Sequence, residues 1–122
     1  MTTEKLNIEF KSLKKVTGKN AKLSELAETC VCLANAQGGL IIVGIEDKDK
    51  APPEGQTIEQ ELVNKIIAQL RSLTSSVGIA DYEILKHENG GAYFKFRVLP
   101  SSRTIATTST GEVFMRVSDN CF

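Results

Sequence analysis

The 122-residue sequence predicts an α+β domain with a mixed sheet and two helices packed on it. Three observations carry this. Apolar residues recur at helical spacing in two separate stretches. A β-branched run, Leu40 to Ile45, stands between those stretches. After the second, strand patterns follow one another across strong turn signals.

The elements follow in order. Leu6, Ile8 and Phe10 alternate with Asn7, Glu9 and Lys11, the period-two pattern of a strand with its apolar side buried. Ser12 to Asn20 reads as a polar loop. Leu23, Leu26, Ala27, Cys30, Val31 and Ala34 predict an amphipathic helix over 21–36, with Asn20 as N-cap and Gly38 ending it. The continuous run Leu40 to Ile45 predicts a central strand covered on both faces. Pro52-Pro53 breaks the acidic loop after it. Thr57 and Gln60 have capping-box spacing and predict the start of a second helix bearing Leu62, Val63, Ile66, Ile67, Leu70 and Leu73. Tyr82, Ile84 and Leu85 lie in one strand, and Tyr93 to Leu99 in the next. Asn89-Gly90-Gly91 predicts the hairpin between them. A run around Thr104 to Thr107, a turn at Ser109-Thr110-Gly111 and a strand over 112–117 complete the pattern as a C-terminal hairpin. The order is β-α-β-α-β-β plus that hairpin. Helical crossovers require parallel pairing and hairpins antiparallel pairing, so the sheet is expected to be mixed. One core should gather Leu23, Leu26, Cys30, Ile42, Val43, Ile66 and Leu70.

Composition bounds the function. No apolar run approaches the ~18 residues of a membrane span, and the N-terminus has no apolar segment resembling a secretory signal. Three cysteines, Cys30, Cys32 and Cys121, are an odd and sparse set. They argue against a disulfide framework and for a reducing, cytoplasmic location, with Cys30 and Cys32 as small buried hydrophobes. Net charge is zero but unevenly spread. Residues 1–22 hold six lysines against two glutamates, net +4, and residues 23–61 hold eight acids against two lysines, net −6. The lysine-rich start is either a solvated loop or a local patch that meets phosphate. Glycine, lysine and hydroxyl residues nowhere have phosphate-loop spacing, which makes an ATPase reading poor.

Four ordered segments resemble the Schlafen AlbA-like family, formerly described as divergent AAA. Ile8-Glu9-Phe10-Lys11 is similar to its E-F-K, and Ala34-Asn35-Ala36-Gln37-Gly38-Gly39 to its A-N-x-x-G-G. Ile42 to Asp47 is similar to its I-G-V-x-D, and Val113 to Ser118 to its Y-x-R-x-G-S. Thr104 stands where relatives often have proline, and Val117 replaces the glycine of the last segment.

The resemblance implies an N-terminal module of a longer bacterial transcriptional regulator, with further C-terminal domains, that binds DNA or RNA. Lys11, Lys14, Lys15, Arg103 and Arg116 are the candidate phosphate contacts, which Lys95 and Arg97 could extend. Some relatives are metal-dependent ribonucleases. By position, their carboxylates fall on Glu4, Glu9 and Asp47, which would hold magnesium or manganese as catalytic residues if this chain shares that activity. Asn35, Gly38, Gly39 and Gly44 are expected to shape a loop, with the Asn35 amide satisfying its backbone groups. The third reading is an oligomerisation or interaction domain, a homodimer included, or a nucleotide-binding domain without catalysis. DNA versus RNA, and the target sequence, are not written in these residues.

Overall fold

The structure, a computed structural model, describes residues 8–17, 23–46, 50–101, 105–117 and 120–121; for Lys15, Arg116, Val117, Asn120 and Cys121 it describes the backbone alone. Strand β1 (Ile8–Lys11) leads through a short 3-10 turn (Leu13–Lys15) to helix α1 (Leu23–Ala34). Strand β2 (Gly39–Val43), helix α2 (Gln60–Ser72) and strands β3 (Thr74–Ser75), β4 (Gly78–Lys86) and β5 (Ala92–Leu99) follow. Three two-residue strands close the order: β6 (Thr107–Thr108), β7 (Arg116–Val117) and β8 (Asn120–Cys121).

The main sheet has the order β1-β2-β5-β4. β1 runs parallel to β2, with Ile8 opposite Leu40 and Phe10 opposite Ile42. The remaining pairs are antiparallel, with Ile41 opposite Phe96 and Ile84 opposite Phe94. The α+β class and the mixed sheet are therefore as the sequence predicts. The β4–β5 hairpin turns at Asn89-Gly90-Gly91, where the Gly91 N–H donates to Asn89 Oδ1 at 2.8 Å and Gly90 has φ +85°.

Both helices cover one face of this sheet. Ile41, Val43, Phe94, Phe96 and Val98 meet Leu26, Cys30 and Leu33 of α1 and Val63, Ile66 and Leu70 of α2 in one buried cluster. Phe94 and Phe96 are fully buried, their rings stacked 6.4 Å apart. Burying each such side chain stabilises the fold by about 1.5–3 kcal/mol before chain entropy opposes it.

Several expectations need correction. The apolar side of β1 is outward: Ile8 and Phe10 are 46% and 44% exposed, while Glu9 and Lys11 lie on the helix-covered side. The period was right, but alternation alone does not say which face the helices take. For the same reason Ile41 replaces Ile42 in the core, and Leu23 only flanks it. β2 is shielded fully on one face, with Leu40 and Ile42 half-buried on the other. The capping box does not form. Glu59 is the N-cap of α2, without a side-chain cap bond, so Thr57 lies two residues too early.

The C-terminal pairing also differs. β6 pairs with β3, which sequence reading missed, and β7 pairs with β8. Residues 107–108 therefore do not form a strand pair with 112–117. A turn does close between them, with the Thr108 N–H donating to the Glu112 carbonyl at 2.9 Å and Gly111 at φ +87°.

Cys30 is a free, fully buried thiol. Cys32, equally buried, is disulfide-bonded, against the expectation of reduced cysteines. An odd count argues against a framework of bridges but leaves room for one. That bond removes the cysteine argument for a reducing compartment. Among the described residues no helix is long and apolar enough to cross a membrane.

Candidate nucleic-acid interface

β1 is an edge strand of the main sheet, and its end fixes the first basic residues. The Gly44 N–H donates to the Lys11 carbonyl at 2.8 Å, which ties the end of β1 to the residue after β2. The chain then turns at once. The Val16 and Thr17 N–H groups both donate to the Leu13 carbonyl at 3.1 Å, and the Thr17 hydroxyl donates to it at 2.9 Å. Val16 is buried and Leu13 packs against the core, so the turn is pinned from beneath. Lys14 consequently projects into solvent, and Lys11 lies half-buried beside it on the helix side of β1.

The basic residues of β5 have a different setting. Lys95 Nζ stands 3.2 Å from Glu83 Oε1, its cross-strand neighbour, and an Arg97 guanidinium nitrogen stands 3.6 Å from Asp81 Oδ2. Asp81 reaches that position through a bulge in β4, where its φ is +54°. Such exposed pairs contribute about 0–1 kcal/mol to stability, but they cancel local charge. Among the described residues, Lys11 and Lys14 form no ion pair. Arg103 lies outside the described residues, and the side chains of Lys15 and Arg116 are not described.

Of the carboxylate trio, Glu4 and Asp47 lie outside the described residues. Glu9 is half-buried and shares its side of β1 with Lys11, as its spacing predicts. Among the described residues no group of three or more His, Cys, Asp or Glu side chains could hold a metal ion.

The Asn-Gly-Gly segment is held by side-chain and backbone bonds. Asn35 Nδ2 donates to the carbonyls of Ala106 at 2.9 Å and Phe114 at 3.0 Å, and Asn35 Oδ1 accepts from the Ala106 N–H at 2.7 Å. One amide thus binds the C-terminal segment to the end of α1. Gly38 has φ +78°, and a Cβ there would stand 2.5 Å from the Val98 carbonyl oxygen. Gly39 is buried and pairs with Val98. Gly44 has φ +108°, and its carbonyl accepts from Gln56 Nε2 at 3.0 Å. The same Gln56 Nε2 donates to the Ala92 carbonyl at 2.8 Å. Sequence reading missed Gln56, because a lone glutamine in a proline-rich loop has no periodicity to mark it.

At the C-terminal end of the parallel pair, Phe10, Ile45, Glu46 and Lys50 line a cleft of about 320 Å³. Open α/β sheets commonly bind ligands at such strand ends. The sequence signal existed in part, since Glu46 and Lys50 flank the position singled out as Asp47.

Comparison with known proteins then places the chain. The family model described as Schlafen, AlbA_2 matches residues 4–122. The chain belongs to the Schlafen AlbA_2 family. The expected resemblance is therefore correct. Among solved structures, the DIP2311 protein from Corynebacterium diphtheriae is similar at 20% identity with a TM-score of 0.64. The match covers 94% of this chain and 24% of that one, so the present AlbA_2 chain spans about a quarter of that protein's length. At this identity the likeness shows a shared fold. No protein of curated function matches in sequence.

Proposed function

We propose that this AlbA_2 chain is a nucleic-acid-binding module that contacts phosphates through the basic edge of its sheet. Lys11 and Lys14 stand at that edge, and Lys15, Arg103 and Arg116 are the further candidate phosphate contacts. The observation that carries the reading is the contrast between the two sets of cations. Lys95 and Arg97 are matched by Glu83 and Asp81, whereas Lys11 and Lys14 have no ion-pair partner among the described residues. A cation without a protein counter-charge is the one that gains by displacing condensed counterions from a phosphate backbone. Family membership supports the same reading, and a role within a longer transcriptional regulator is part of the proposal.

Fluorescence-anisotropy titration of the chain against single- and double-stranded DNA and RNA, at two salt concentrations, tests it. Weak, salt-sensitive and largely sequence-independent binding is expected. Replacing Lys11, Lys14, Lys15, Arg103 and Arg116 with Ala should remove most of it and flatten the salt slope. Absence of binding by the wild type at low salt overturns the reading. Repeating the titration with magnesium or manganese separates binding from cleavage, the outcome a carboxylate nuclease would give.

A further inference from the structure

The cleft at the end of β1 and β2 combines three recognition chemistries. Phe10 is 44% exposed, although large aromatic side chains are ordinarily buried, and it forms one wall. Ile45 adds a second apolar surface at 9% exposure. Glu46 and Lys50 bring one acidic and one basic residue to the same lining.

Backbone geometry holds those two charged residues together. The Lys50 N–H donates to the Glu46 carbonyl at 2.8 Å, and the Glu46 N–H donates to the Ala51 carbonyl at 3.2 Å. Lys50 adopts φ +51°, a left-handed conformation that side-chain-bearing residues seldom take and that tends to occur at binding sites.

An apolar aromatic wall favours a flat ligand that can stack. An ionised carboxylate only accepts hydrogen bonds, so it selects ligand groups that donate them. An ammonium favours a neighbouring anion. We propose that Phe10, Ile45, Glu46 and Lys50 form a pocket for one unstacked nucleobase bearing an exocyclic amino group. Adenine, cytosine and guanine each offer the carboxylate an amino group, guanine with its ring N1–H beside it, and the nucleotide's phosphate meets Lys50. Uracil and thymine have no amino group and offer only a ring N3–H set between two carbonyl oxygens, whose lone pairs would oppose the carboxylate. A volume of about 320 Å³ is at the small end of ligand sites, which run about 300–1,000 Å³. That suits one base rather than a stack of several. Bases inside a duplex are stacked and cannot enter. The inference rests on the reading of the module as a nucleic-acid binder, and it narrows the ligand to single strands.

The chain has no tryptophan, so Phe10→Trp places a single tryptophan reporter in the pocket wall. Saturable quenching by adenosine and cytidine monophosphates is expected, with uridine monophosphate at least fivefold weaker. Anisotropy then compares the wild type with variants. Phe10→Ala and Phe10→Leu should each weaken binding to single-stranded oligo(A) about tenfold, equivalent to about 1.4 kcal/mol, and leave duplex binding unchanged. Leucine keeps the apolar surface and removes only the ring; circular dichroism checks that both variants fold. Glu46→Gln should narrow the gap between oligo(A) and oligo(U), because a carboxamide both donates and accepts.

Equal quenching by uridine and adenosine monophosphates overturns the pocket, as does an unchanged affinity of Phe10→Ala for single strands. Salt-sensitive binding with no dependence on Phe10 or on base identity also overturns it, while leaving the basic edge intact. Base-selective quenching without binding to any polymer supports the pocket and overturns the nucleic-acid reading instead.

Discussion

Asn35 and Ala106 hold each other in a reciprocal pair of hydrogen bonds. The Ala106 N–H donates to Asn35 Oδ1 at 2.7 Å, and Asn35 Nδ2 returns a bond to the Ala106 carbonyl at 2.9 Å. The third bond, to the Phe114 carbonyl, gathers both arms of the final turn onto one side chain. Asn35→Ala should therefore lower stability by about 2–4 kcal/mol, because it leaves backbone groups without partners where water reaches them poorly. Asn35→Asp should fare no better, since a carboxylate keeps the Ala106 N–H but meets two carbonyls with no proton to offer. Urea denaturation reads both, and a midpoint unchanged in either variant would contradict the clamp.

Two glycines with similar φ make a controlled comparison. Gly38 and Gly55 have φ of +78° and +74°, but a Cβ at Gly38 would strike the Val98 carbonyl, whereas nothing lies within 4 Å of one at Gly55. Gly55→Ala should cost about 1 kcal/mol, from the left-handed backbone alone. Gly38→Ala should cost about 2 kcal/mol or more, because backbone must also move. Equal melting temperatures for the two variants would show that the Gly38 contact relaxes freely.

The Cys30 thiol is pushed up from 9.0 to about 12, chiefly by burial, with its own backbone bond and the nearby Lys11 charge opposing. In the unfolded chain it ionises near its ordinary value, and in the folded chain only at higher pH. The thiol's contribution is thus fully present below about pH 9 and is lost as pH rises towards about 12. Cys30→Ala should remove this component of alkaline destabilisation. Alkylation of Cys30 at pH 8 should wait for opening of the fold, and rapid labelling of the native protein would contradict its burial.

Lys95 and Arg97 offer a test by gain. Glu83→Gln with Asp81→Asn frees both cations without changing side-chain size much. If nucleic acid passes over the sheet face they share with Phe10, affinity at low salt should rise. The salt slope should steepen by about 0.7–0.9 for each additional phosphate contact. An unchanged slope would confine phosphate contact to the edge around Lys11 and Lys14.

Hydrogen exchange should find the Ile41 and Val43 amides among the slowest. β2 is bonded on both sides, to β1 and to β5, and both side chains are fully buried. Fast exchange there would contradict the sheet order.

The element order was legible because hydrophobic period survives in a single sequence: 3.6 for the helices, two for the strands. Facing was not. Ile8 and Phe10 read as buried, yet helix coverage falls on the opposite side of β1 and selects Ile41 over Ile42 in β2. Two-residue strands such as β3 and β6 carry no period to detect. Their pairing is flanked by the Asn35 clamp and by the Ser109 N–H donating to the Leu73 carbonyl at 2.8 Å, contacts far apart in the chain. In the site, the positive φ of Gly38 and the backbone bonds of Asn35 could be anticipated because each residue type has a narrow conformational use. The Phe10 cleft could not, since it depends on which way a strand faces.

The central strand also has a consequence for synthesis. Ile41 emerges from the ribosome well before Phe96, its antiparallel partner in β5. At about 5–20 residues per second, the nascent chain waits several seconds with its most apolar strand only half paired. Its other neighbour, β1, is short and can add only a parallel edge. The β4–β5 hairpin is thus the late-arriving piece that completes the sheet. Slowing translation just before residue 92 should lengthen the exposure of β2 and favour chaperone engagement there, whereas the same pause once residue 99 has left the ribosome should leave the sheet able to close.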